Sequence, residues 1–158
     1  MPDTDAFIER QLIVDAVAAS PHRRRAHAEQ FVGEEHLLYA FWRVRGSNEA
    51  FLVRELDGEW RVFRLREPHT ATRNHTSGIC TICCSNRPPG ATALWTAAVG
   101  KRKIVGNWIC FDFDCARRSF GLLPPDPDAL RETLTPWQRL DRTEANLDRF
   151  LRRLVDLD

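Results

Sequence analysis

The sequence predicts an α+β protein. An antiparallel β meander is joined to a cysteine-bearing module, with an N-terminal helical segment and a C-terminal helix packed on the sheet. Three observations predict it. Short aromatic and branched stretches alternate with turn signals before residue 67, two spaced cysteine pairs follow, and a helix-period segment behind a capping sequence closes the chain.

Residues 5–19 read as an amphipathic helix. Thr4 or Asp3 can cap it, and Phe7, Ile8, Leu12, Ile13 and Ala16 form a wide apolar stripe. Ser20-Pro21 supplies an N-cap and a proline at the first helical position, so "PHRRRAHAEQ" reads as a second short helix. Residues 1–35 are thereby set apart as an N-terminal helical segment from a domain over 36–158. In that domain "HLLYAFWRV", "AFLVREL" and "EWRVFRL" are three strands of a meander, separated by Gly46-Ser47-Asn48 and Asp57-Gly58. An Asp-Gly pair between alternating patterns is a strong hairpin signal.

A polar connector carrying His69 and His75 leads to the cysteines. Beyond them "ALWTAAV" and "KIVGNWI" read as two more strands joined around Gly100. Cys110 ends the second, and "DFDCARRSFG" opens a helix with Asp112 as its N-cap. After the proline-rich break "LLPPDPD", Thr135-Pro136-Trp137-Gln138 is a capping box with proline in the first turn. Trp137, Leu140, Leu147, Phe150, Leu151 and Leu154 fall mostly three and four residues apart and give the last helix its buried face.

Composition narrows the classes of function. The 158 residues carry a net charge of +1, with 43% hydrophobic and 28% charged side chains, the balance of a globular domain. A near-zero net charge argues against a bulk nucleic-acid partner, although "HRRRAH", "KRK" and Arg117-Arg118 are local basic runs. The N-terminus lacks the order of a signal peptide, and the longest apolar run is broken by Asp15 and too short to span a bilayer. These features point to a cytoplasmic protein away from membranes. In a reducing compartment clustered cysteines mark a metal more often than a disulfide.

Cys80-x2-Cys83 and Cys110-x4-Cys115 are the two pairs. Four thiolates satisfy tetrahedral zinc, and the two-residue spacing lets one tight turn aim both sulfurs at one ion. Cys110 closes a strand and Cys115 begins a helix, where free N–H groups and the positive helix end favour anionic sulfur. A turn supplying two ligands, then a hairpin, then a helix start supplying two more is the layout of a treble-clef zinc finger holding one structural Zn2+. Arg87, Lys101, Lys103, Arg117 and Arg118 are available to offset the thiolate charge. Cys84 takes the place after the second ligand, where such turns favour glycine, and reads as a filler or an alternate ligand to Cys83.

Other readings of these thiols remain. Buried cysteine often only packs, which two spaced pairs fit poorly. A thioredoxin-like "CTIC" would open a helix, and the following "CSNRPPG" opposes one. A Cys–His nucleophile pair using His69 or His75 would make the chain a thiol-dependent enzyme. The sequence has no phosphate-cradling glycine loop and no HExxH, and a closed four-cysteine site leaves zinc no position for water.

The motifs "GICTICC", "GNWICFDFDC" and "ETLTPWQRLDRTEANLDRFLRRL" resemble the FBP domain. This is the C-terminal treble-clef zinc domain of elongation-factor-G-binding proteins, the group that includes FusB-type fusidic acid resistance proteins. The most specific part is the Gly-Asn-aromatic-Cys run with Asp112 and Cys115 after it, and the likeness covers roughly residues 36–158. It implies a bacterial, non-enzymatic domain that binds elongation factor G and modulates its release from the ribosome, with no small-molecule substrate. Resistance-type members carry a full helical bundle before the zinc domain, where this chain has about 35 residues, so a housekeeping translation role is equally implied. The resemblance places the partner surface around the zinc site, with Lys103, Trp108 and Arg117 as its candidate contacts. Arginine and aromatic residues near zinc also suit direct rRNA or ribosome binding.

Overall fold

The computed structural model describes residues 38–44, 46–67, 76–127 and 129–155. The helical reading of residues 1–35 and the connector histidines His69 and His75 lie outside them. The strands are β1 (Ala40–Arg43), β2 (Glu49–Leu56), β3 (Glu59–Arg66), β4 (Gly78–Ile79), β5 (Asn86–Arg87), β6 (Thr92–Val99) and β7 (Lys103–Cys110). Helices α1 (Cys115–Phe120) and α2 (Pro136–Val155) follow. Five strands pair antiparallel in the order β1-β2-β3-β6-β7, and β4-β5 form a separate small ribbon.

Local chemistry sets these elements. Asp57 and Gly58 both take positive φ, 53° and 79°, as a two-residue hairpin turn of this twist demands. That turn fixes an unbroken register from Leu56 opposite Glu59 to Glu49 opposite Arg66. At the start of α2 the predicted capping box closes in both directions. The Thr135 N–H donates to Gln138 Oε1 at 2.9 Å, and the Gln138 N–H donates to Thr135 Oγ1 at 3.3 Å.

Alternation then sorts the sheet into two faces. Ala50, Leu52, Leu56, Leu65, Trp95, Val105 and Ile109 are buried on the face that meets Leu140, Leu147, Phe150 and Leu151 of α2. Trp137 departs from the predicted stripe. It is 57% exposed, and its ring edge meets Phe120 at 4.7 Å between centroids. Arg54 crosses from β2 to α2, donating through Nε to Asp148 at 2.9 Å and through Nη2 to Glu144 at 2.6 Å.

The opposite edges of the sheet are also bridged. The turn after β7 returns to β1, where Phe113 stacks on Phe41 at 4.5 Å and the Arg43 guanidinium donates to the Phe111 carbonyl. Arg43 lies over the rings of Phe111, Trp95 and Phe41, a cation held in an aromatic cage.

The outer face of β6 and β7 has no described helix upon it. Ile104 is 71% and Trp108 40% exposed there, with Leu94 and Thr96 half-buried between them. Gly106 suits this point, because a Cβ would crowd its neighbours, lying 3.1 Å from Thr96 Cγ2 and 3.2 Å from Leu94 Cδ1. No described helix is long and apolar enough to cross a membrane.

Replacing Arg54 with Met should lower stability by about 2 kcal/mol, since two carboxylates lose a charged partner that is largely out of water. Urea denaturation of the zinc-loaded chain measures this. An unchanged midpoint would show that this ion pair does not couple sheet to helix.

Candidate metal centre

Three short pieces of chain converge on the site. The β4-β5 ribbon carries the Cys80–Cys83 turn, closed by the Cys80 N–H on the Ser85 carbonyl at 3.0 Å and the Cys84 N–H on the Cys80 carbonyl at 2.8 Å. Cys110 is the last residue of β7, and Cys115 is the first residue of α1. The Thr81 N–H and hydroxyl both donate to the Trp108 carbonyl, each at 2.9 Å, which lays the turn against the end of β7.

The four sulfurs of Cys80, Cys83, Cys110 and Cys115 all lie within 4.8 Å of one another, and all four residues are buried. Cys80 Sγ to Cys115 Sγ and Cys83 Sγ to Cys110 Sγ are both 3.6 Å. A tetrahedron with Zn–S bonds of about 2.3 Å has sulfurs about 3.8 Å apart, so the set fits zinc. The donor chemistry also fits. Hydrogen bonding with Cys110, then with Cys80 and Cys83, and burial push the Cys115 thiol well up, while contacts with Cys110, Cys115 and Cys80 hold Cys83 down. Crowded buried sulfurs oppose one another's ionisation, and only a cation among them stabilises several thiolates together. The four cysteines form a single zinc site, closed by protein ligands on every side. Bound there, zinc would supply cross-linking rather than a reactive position.

The geometry corrects two details of the sequence reading. Asp114, not Asp112, precedes α1 as its N-cap residue, and it makes no side-chain capping hydrogen bond. Asp112 Oδ1 instead accepts from the Asp114 N–H at 3.0 Å, and its other oxygen pairs with Arg118 at 2.7 Å. Phe113 takes φ 57°, which turns its side chain into the core among Tyr39, Phe41 and Trp95. The cations also sort differently. Arg118 interacts with Cys110, but Arg87 is buried in a pair with Asp126 at 2.5 Å. Lys101 and Lys103 sit at the far end of β7, roughly seven residues or 23 Å of strand from Cys110.

Three residues that hold the site were no part of the predicted site. Tyr39, just before β1, donates its hydroxyl to the Phe113 carbonyl and accepts from the Cys115 N–H at 3.1 Å. Burial pushes its phenol well up, and Cys115 beside it adds to this, so it stays a donor. From α2, Asn146 donates to the Ile82 carbonyl at 3.0 Å and Arg142 to the Cys83 carbonyl at 3.1 Å. The helical periodicity predicts a polar side for α2, but not which polar residues clamp the turn.

The fifth thiol stands apart. Cys84 is half-buried with φ 59°, the left-handed region that glycine favours, and its sulfur accepts from Asn146 at 3.4 Å. Burial pushes its thiol up. Of the predicted partner contacts, Trp108 and Lys103 are exposed and Arg117 is half-buried near Asp114, at 4.0 Å. Trp108 lies next to the knuckle and Lys103 at the opposite end of the same strand, so the three do not make one patch.

The model of the FBP C-terminal treble-clef zinc-finger family matches residues 26–154. No curated protein and no solved structure matches the chain.

Cys110→Ser or Cys115→Ser should abolish zinc binding and unfold at least the C-terminal half, because structural zinc contributes on the order of 10–16 kcal/mol in small finger peptides. Metal analysis with thermal melting checks this; a variant with full zinc and unchanged melting would refute the four-thiolate site. Cys84→Gly should stabilise the zinc-loaded chain by about 1 kcal/mol by relieving the left-handed backbone. Its zinc stoichiometry should stay the same, and a loss of zinc would make Cys84 a ligand.

Proposed function

Since the chain belongs to the FBP C-terminal treble-clef zinc-finger family, we propose that it is a non-enzymatic zinc-stabilised adaptor that binds elongation factor G and modulates its release from, or activity on, the ribosome. The observation that carries this reading is the family match spanning the metal site and both helices. A closed site of four buried cysteines suits a scaffold better than a catalyst. A bacterial cytoplasmic protein acting in translation follows from the same reading, with a housekeeping role and a resistance role both within it.

The outer sheet face is the surface best suited to the factor. Trp108 and Ile104 expose apolar area on rigid strands, and the zinc knuckle holds Trp108 in place through its carbonyl. Large aromatic anchors of this kind dominate binding energy when a partner covers them. A second reading, direct contact with rRNA, is favoured by one observation. Lys101, Arg102 and Lys103 are exposed at the β6-β7 tip with no ion pair among the described residues. The thiol-enzyme reading is weakened by Cys84, whose burial disfavours the thiolate.

Zinc-loaded protein should retain purified elongation factor G in a pull-down, and chelation should abolish retention. Trp108→Ala should weaken binding by on the order of tenfold or more while leaving zinc content unchanged. Failure of the zinc-loaded chain to bind the factor, with RNA affinity falling steeply as salt rises, would replace the adaptor reading with the rRNA one.

A further inference from the structure

β7 is the last strand of the sheet, and its outer edge is only half used. The Trp108 carbonyl accepts from the Thr81 N–H and hydroxyl, both at 2.9 Å, and the Cys110 N–H donates to Cys80 Sγ at 3.4 Å. These bonds leave β7 on the side away from β6. Along an antiparallel strand each residue points both its N–H and its C=O to one side, and the next residue to the other. Gly106 and Ile104, two and four residues before Trp108, therefore present theirs outward as well. Among the described residues nothing bonds the N–H or C=O of either on that side.

The edge lacks the devices that usually close one. β7 has eight residues and no proline, and its register with β6 runs unbroken from Cys110 opposite Thr92 to Lys103 opposite Val99, so no bulge turns it away. At the other end of the sheet β1 has four residues and is bridged by the turn after β7. Ile104 and Trp108 are exposed on one face of β7, and Lys103 alternates to the opposite face. Lys101, Arg102 and Lys103 are exposed and have no ion pair among the described residues.

These features specify an occupant. It is an extended segment whose backbone bonds Ile104 and Gly106, with apolar side chains across from both on the outer face. Gly106 has no side chain to meet its partner there, so a large one fits. A carboxylate across from Lys103 lies on the opposite face, where unlike charges on paired strands attract. A second copy fits poorly, because its β7 contains no carboxylate and would bring another cationic tip to the edge.

We propose that elongation factor G engages this protein by strand addition, an extended segment of the factor with alternating apolar and acidic residues becoming a sixth strand along Lys103–Gly106. The added strand ends before Trp108, whose carbonyl the zinc knuckle already holds. The identity of the partner rests on the adaptor reading; the open edge does not.

Residue-resolved hydrogen exchange of the zinc-loaded full chain tests this. Saturating factor should slow the Ile104 and Gly106 amides by about tenfold or more, whereas those of Val105 and Asn107, which face β6, should change little. Ile104→Pro removes one outward N–H at a position that edge strands tolerate. It should bind the factor about tenfold more weakly than Ile104→Val, which keeps that N–H. Unchanged zinc content reports an intact fold; if Ile104→Pro loses zinc, the exchange result alone decides. Bound factor with both amides exchanging as in the free chain overturns strand addition and leaves the adaptor reading standing, as does equal binding by the two variants. If the factor does not bind at all, both fall. Protection of both amides in the free chain also overturns the proposal, because this chain or a second copy of it then fills the edge.

Discussion

Four sulfurs meeting at one point are what the smallest elements of this protein depend on. β4 and β5 have two residues each and α1 has six. Ribbons and helices of that length do not form alone in water. They become stable because the turn joining β4 to β5 presents two thiolates, and α1 one, to a shared cation, whose binding free energy is then folding free energy. The metal does here what a larger hydrophobic core would do elsewhere.

The long helix serves the same end from the outside. Arg139, Arg142 and Asn146 sit at i, i+3 and i+7 on α2, one continuous strip. They donate to the carbonyls of Ser119, Cys83 and Ile82, so one strip of helix binds the end of α1 and the ligand turn together. Beside that strip, Thr143 shares a buried hydrogen bond with Ser119 of α1. Asp148 and Glu144 take Arg54 from the meander. A helix with an apolar face would pack against many sheets, whereas this set of polar contacts admits one placement.

Much of this was legible in the residues, and the reasons differ by element. The meander and its hairpins were readable because Asp57-Gly58 and Gly100 mark turns in one dimension. The metal set was readable because ligand spacing is a local property of turns. Asp112 was misread because a capping residue and an aspartate that turns the chain look alike in sequence; Arg118 and the Asp114 amide decide between them. Lys101 and Lys103 seemed near the thiolates in sequence, yet the strand between them and Cys110 carries them to the other end of the sheet. Tyr39 and Asn146 were invisible as site residues because they reach the cysteines from 76 and 62 positions away. Only topology supplies that proximity.

The Tyr39 hydroxyl, shared between the Phe113 carbonyl and the Cys115 amide, joins the first strand to the last ligand. With Arg43 bonded to the Phe111 carbonyl, it turns an open sheet into a closed circuit whose clasp contains the metal. Linkage then runs both ways. Whatever orders the meander raises zinc affinity by the same factor by which zinc orders the meander. A partner that grips the sheet would thus be felt at the sulfurs without touching them, as a slower loss of metal.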